Sequence, residues 1–158
     1  MSYRLPLVTI WIISLVFVTS WFVGFIAEQK LLVELAAILP VFPVLGLLWL
    51  RPQEELAGWA LFTIWLGLTY TSAGTGLELS AFGIVVALAI FGYFKSPWFL
   101  VVAWFGHIVW DFLPRELPPL FTDLPTACLI FDGIIGAYIV FRIKSGRWPS
   151  TNVSESPA

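Results

Sequence analysis

Residues 5–27 read LPLVTIWIISLVFVTSWFVGFIA, a run of 23 residues without one charged side chain, closed by Glu28-Gln29-Lys30. A bilayer core about 30 Å thick needs roughly 20 apolar residues in helical form, so this run is long enough to span it. It is too long for the apolar part of a signal peptide and no A-x-A site follows it, so it is expected to stay in the protein. Five further runs follow the same plan, at 31–50, 56–72, 77–94, 97–113 and 124–141. Short breaks carrying charge or turn residues separate them: Arg51-Pro52-Gln53-Glu54-Glu55, Ala73-Gly74-Thr75-Gly76 and Lys95-Ser96. The last break is longer, from 114 to 123, with prolines at 114, 118 and 119. Such punctuation argues against fewer, longer helices.

Composition points the same way. Hydrophobic residues make up 59% of the chain, charged residues 11%, and mean hydropathy is +0.93. A soluble domain carries about 25% charged residues, so lipid is the expected solvent for much of this surface. The alternating pattern of a membrane barrel is absent, which leaves helices to satisfy the backbone in lipid. The expected fold is therefore all-α: a polytopic bundle of six transmembrane helices within one domain, 1–148, followed by a disordered tail, 149–158. The single cysteine, Cys128, excludes an internal disulfide. A formal charge of -2 is too small to suggest a nucleic-acid partner. Expected partners are membrane lipids, with a homo-oligomer or another membrane protein left open. No cofactor is named by the sequence.

Orientation follows from Lys and Arg counted on alternate sides. Arg4, Arg51, Lys95, Arg142, Lys144 and Arg147 fall on one side; only Lys30 and Arg115 fall on the other. The excess places both termini in the cytoplasm and the protein in the cell membrane as a multi-pass chain. Trp49, Trp59, Trp98 and Trp148 lie near the expected inner boundary, where indole rings anchor. The Asn152-Val-Ser154 sequon then sits in a cytoplasmic tail, out of reach of the transferase.

The acidic residues are one-sided. Glu28, Glu34, Glu78, Asp111, Glu116, Asp123 and Asp132 fall toward the outer face, where Lys30 and Arg115 are the fixed cations, a balance of −5. The inner side carries six cations against Glu54, Glu55 and Glu155, a balance of +3. Asp132 is eight residues into the sixth span, roughly 12 Å deep at about 1.5 Å per residue. An ionised carboxylate at the centre of a membrane helix costs about 2.5–3.5 kcal/mol even on lenient scales. Asp132 must therefore face the bundle and be protonated, hydrogen-bonded, hydrated or bound to a cation.

Two spacings sharpen this. His107-x-x-x-Asp111 sets both side chains on one face of the fifth span, and Cys128-x-x-x-Asp132 does so on the sixth. Antiparallel packing brings His107 to the depth of Cys128 and Asp132. These donor types suit zinc or another transition metal, and equally proton transfer with His107 as the titrating group; no metal ligand is assigned. Plainer readings stand beside these. Asp111 and Arg115 are four apart and can form a salt bridge, a buried His107 can simply bond a neighbouring helix, and Cys128 can act as a small hydrophobe. Asp123 is placed to cap the sixth helix. Pro40 and Pro43 interrupt the second span near its middle, removing two backbone donors; such breaks often line a cavity. Gly133, Gly136 and Ala137, with Gly106 beside His107, are expected to allow close helix approach.

At the carboxyl end, Gly106-His107-Ile-Val-Trp110-Asp111 followed by Cys128-Leu-Ile-Phe131-Asp132-Gly133 resembles a class of uncharacterised small bacterial integral membrane proteins. In that class a His-x2-Trp-Asp helix precedes a Cys-x2-aromatic-Asp helix, and the likeness covers roughly the last third of the chain. A second histidine that follows the Trp-Asp pair there is replaced here by Pro114-Arg115-Glu116. The resemblance implies a site location and no activity.

Three functions are expected to compete. The first is an enzyme or binding protein for a lipid-like or isoprenoid molecule entering from the outer leaflet. Asp132, His107 and Asp111 would then be catalytic, and Trp104, Trp110, Phe131, Glu34 and Glu78 would bind substrate. The second is a proton- or cation-coupled transporter subunit, and the third a non-catalytic scaffold or assembly protein. No nucleophile motif, phosphate loop or redox pair supports a hydrolase or NTPase.

Overall fold

A computed structural model describes residues 4–68, 76–113 and 122–148. Residues 69–75 at the end of the third expected span, residues 114–121 with Arg115 and Glu116, and the tail 149–158 lie outside the described residues. Among the described residues the chain forms seven helices and no strand: α1 Arg4–Glu28, α2 Leu32–Leu35, α3 Val41–Leu48, α4 Pro52–Leu68, α5 Gly76–Phe94, α6 Trp98–Asp111 and α7 Leu124–Lys144. Three of them, α1, α5 and α7, are long and apolar enough to cross a membrane. Large apolar side chains stand outward along the helices, among them Phe17, Trp49, Leu77 and Val109.

The second expected span is two helices rather than one. Pro40 lacks the N–H that would bond the Ala36 carbonyl, and Pro43 lacks the one for Leu39. The backbone answers with tighter three-residue turns: Ile38 N–H donates to Leu35 O at 2.9 Å, Val41 to Ile38 O at 3.0 Å and Phe42 to Leu39 O at 3.2 Å. Beyond the break, α3 is tied to α1 by the Trp11 indole, which donates to Gly46 O at 2.8 Å.

The α1 end is a sharper stop. Leu31 N–H donates to Ile26 O and Lys30 N–H to Ala27 O, the paired bonds of a Schellman turn. That turn puts Lys30 at φ 56°, a region in which a side chain costs roughly 1–2 kcal/mol. Lys30→Gly is therefore expected to stabilise the protein by about 1 kcal/mol, read as a higher midpoint in an SDS unfolding titration. A lower midpoint would show that the lysine side chain contributes more than the strain it carries.

The start of α4 is bound to the start of α1. Arg4 Nε and Nη2 donate to the two Glu54 carboxylate oxygens at 2.9 and 3.0 Å, and Arg51 N–H donates to Glu54 Oε2 at 2.9 Å. The Arg4 bond, foremost, with the Arg51 N–H and both guanidinium charges, holds the Glu54 carboxyl down from 4.5 to about 2 against its partial desolvation. Its folded value lies below its unfolded one, so its stabilisation is complete above about pH 4.5 and is lost as pH falls toward about 2. Glu54→Gln is expected to flatten that acid limb of a thermal-unfolding profile. An unchanged limb would assign the acid sensitivity to other carboxylates.

The core is an aromatic layer shared by α4, α6 and α7. Trp59 stands edge-on to Trp104 at 6.4 Å between ring centroids and packs on Tyr138 at 5.5 Å, while Trp104 meets Phe131 at 6.0 Å. Trp104 Nε1 donates to Thr63 Oγ1 at 3.0 Å, and that hydroxyl donates to Trp59 O at 2.8 Å. Trp59 and Trp148 are thus buried inside the molecule, not boundary anchors as expected; Trp49 and Trp98 are exposed. Of the small residues expected to permit close approach, Gly136 is where it matters: a Cβ there would come within 2.9 Å of the Phe105 ring. Gly106 and Gly133 face open space instead.

Candidate functional site

Two polar clusters lie on opposite sides of the aromatic layer. The first joins α6 to α7. His107 sits three residues after Trp104 on the buried face of α6, and one turn later Asp111 lies on the same face. On α7, Cys128 and Asp132 hold the matching positions. His107 Nδ1 meets Asp132 Oδ2 at 2.5 Å and lies 3.7 Å from Asp111 Oδ2. With Asp132 ionised, Nδ1 carries the proton and the carboxylate accepts it. Ligand-capable atoms of His107, Asp111, Cys128 and Asp132 all fall within 4.8 Å of one another, and all four residues are buried. Asp132 is 0% exposed, and its second oxygen, Oδ1, has no hydrogen-bond partner among the described residues.

Space adjoins this cluster on two sides. A cavity of about 80 Å³ is lined by Val23 of α1, Leu32 and Leu39 flanking the proline break, Leu66 of α4, and His107, Cys128, Phe131 and Asp132. The proline break between α2 and α3 therefore borders the site. On the other side, a groove of about 310 Å³ runs between α5 and α6, lined by Leu77, Ala81, Val85, Gly106, His107 and Trp110 among others. His107 is common to both. Ligand pockets for organic molecules occupy roughly 300–1,000 Å³, so the groove is large enough for such a molecule and the cavity is of a size for an ion or a few waters.

Placing the expected site residues on this geometry divides them. Asp132, His107 and Asp111 converge as expected, with Cys128 beside them. Phe131 lines the small cavity and Trp110 the groove, so the two rings border different spaces. Trp104 lines neither of these spaces: it is 0% exposed, its indole committed to Thr63. Its place three residues before His107 puts it on the buried face of α6, in the core. Glu34 is exposed on α2 and Glu78 half-buried on α5, and neither lines the cavity or the groove. Asp123 stands at the start of α7 without a side-chain capping bond. The expected Asp111–Arg115 bridge falls outside the described residues.

The second cluster was not foreseen. Glu55 is 0% exposed in the first turn of α4. Its carboxylate accepts from Tyr138 OH at 3.0 Å, from Arg142 Nε and Nη2 at 2.9 and 2.5 Å, and from Arg147 Nε at 3.3 Å. Arg147 Nη2 also donates to Leu50 O at 2.8 Å, and Arg142 stacks near the Trp148 ring. The sequence counted Glu55 with the loop acids. The available signal was its position on the same side as Arg142 and Arg147, with two basic residues five apart facing one acidic helix start. Both Glu55 carboxylate oxygens accept hydrogen bonds from α7 or the turn after it, so the cluster reads as a lock on the end of α7.

Comparison with protein-family models, with curated proteins and with solved structures finds no match to this chain.

Proposed function

We propose that the chain is a multi-pass membrane protein of six spans, both termini cytoplasmic, that binds a lipid-like or isoprenoid molecule in the α5–α6 groove and presents it to His107. In this reading α2 and α3 together make the second span, and α4 and α6 make the third and fifth. The α6–α7 cluster then lies in the outer half and the Glu55 cluster at the inner boundary. The observation that carries the proposal is the position of His107, in the wall of an apolar groove of about 310 Å³ and bonded behind to a fully buried carboxylate. An imidazole held this way can take or give a proton, with Asp132 balancing the charge it gains.

Gly106 supplies the test. It lines the groove, and a Cβ placed there meets nothing within 4 Å. Gly106→Leu should therefore fold while filling the space. Lipid extracted with the purified wild-type protein and measured by mass spectrometry should be enriched in one apolar species, falling by about ten-fold in this variant, the loss of one good apolar contact set. Lipid matching the bulk membrane, or equal retention by Gly106→Leu, would end the proposal. Proton or cation flux in liposomes that Asp132→Asn abolishes would favour the transporter instead.

A further inference from the structure

The α6–α7 cluster has the make-up of a metal site as well as of an acid–base pair. Its donors are one imidazole, one thiol and two carboxylates, from His107, Cys128, Asp111 and Asp132. We infer that these four side chains bind a divalent transition-metal ion of the zinc class. A thiolate disfavours magnesium and calcium, which take oxygen ligands, while a mixed N, S, O set suits zinc.

The distances are close to those required. Bonds of about 2.0–2.3 Å place the donors of a tetrahedral zinc ion roughly 3.3–3.8 Å apart. The observed donors lie within 4.8 Å of one another, with the His107–Asp132 pair at 2.5 Å. Opening that pair and closing the widest separation each need a shift of about 1 Å, within side-chain reach. The i, i+4 pairs on two packed helices fix the donors on rigid elements, which is how a helical bundle builds such sites.

Asp132 Oδ1 is the second, independent observation. It is fully buried, has no hydrogen-bond partner among the described residues, and belongs to a residue bordering the 80 Å³ cavity. A buried carboxylate oxygen is costly to leave unsatisfied, and a metal bond would satisfy it. A divalent ion would offset two of the three negative charges that two carboxylates and a thiolate bring to the site. The adjoining cavity gives room for a water on the ion or for its entry.

The ion would take His107 and Asp132 as ligands in place of the proton-carrying pair proposed above, and it is measured without lipid, so either can fail alone. The full-length protein, purified in detergent from zinc-supplemented cells, should carry about one zinc ion per chain by elemental analysis. After removal by a chelator, Co²⁺ should restore a tetrahedral spectrum with a thiolate-to-cobalt charge-transfer band. Cys128→Ser should lose that band, and Asp132→Asn should weaken Zn²⁺ binding by at least about ten-fold, with helical circular dichroism retained. Cys128→Ser, which changes little volume, guards against a simple folding failure. Wild-type protein with no zinc and no cobalt spectrum overturns the inference. So does a cobalt spectrum without a thiolate band, or zinc binding unchanged in both variants.

Discussion

Arg142→Met is expected to destabilise the protein by about 3 kcal/mol, more than Glu55→Gln does at the other side of the same ion pair. The asymmetry comes from burial. Glu55 has no exposed surface, whereas the Arg142 and Arg147 side chains are 14% and 34% exposed. If Glu55 becomes Gln, both guanidinium groups can turn toward solvent along their apolar stems, and the amide still accepts from Tyr138; a loss of about 1–2 kcal/mol is expected. If Arg142 is removed, the carboxylate stays buried with only the longer 3.3 Å bond from Arg147 and the Tyr138 hydroxyl. An uncompensated buried charge is what makes breaking such a pair expensive. An SDS unfolding titration of the two variants gives the comparison. Equal losses, or a larger one for Glu55→Gln, would show that Glu55 is reached by water and that the cluster does not lock α7.

The second large effect concerns the site. His107→Leu should cost about 3 kcal/mol, because it leaves both Asp132 oxygens without a hydrogen-bond partner among the described residues. The paired change His107→Leu with Asp132→Leu should recover most of that loss and come within about 1 kcal/mol of wild type, since a buried ion pair often contributes no more than apolar residues of similar volume. The coupling energy from this double-mutant cycle decides the question. Recovery, together with loss of zinc and of any turnover, means the pair is kept for chemistry and not for folding. A double variant as unstable as His107→Leu alone would mean that the cluster organises the α6–α7 packing, and the scaffold reading would gain.

Several features of the site were legible in the chain before folding. The four-residue spacings of His107 with Asp111 and Cys128 with Asp132 demand a shared face on each helix, and antiparallel neighbours must meet at equal depth. Pro40 lacks the N–H that would carry α2 onward, and the interruption ends there; Pro43 falls in the first turn of α3, where an N–H has no partner in the helix. What spacing could not supply was which face of each helix met which neighbour. Trp104 and Trp110 are six apart on one helix, about 240° around the axis at 100° per residue, so one enters the core and the other lines the groove. Glu34 and Glu78 were placed by depth alone, and depth does not say which way a side chain faces. The groove lies between α5 and α6, beside the expected α6–α7 interface rather than within it, because space between helices depends on side-chain fit that no single segment encodes.

By itself the sequence determined that this chain is helical, that some of its helices are long and apolar enough to cross a membrane, and that its few charges within apolar runs must find partners. Those are properties of one segment at a time: backbone hydrogen bonding, transfer of side chains to lipid, and helical periodicity. The tertiary structure alone decided that His107 bonds Asp132, that Glu55 is a lock and not a loop acid, and that Trp104 is core. Each of these depends on helix rotation and pairing, set by packing summed over residues far apart in the chain. A buried charge announces from sequence that it needs a partner; only the packed helices choose it.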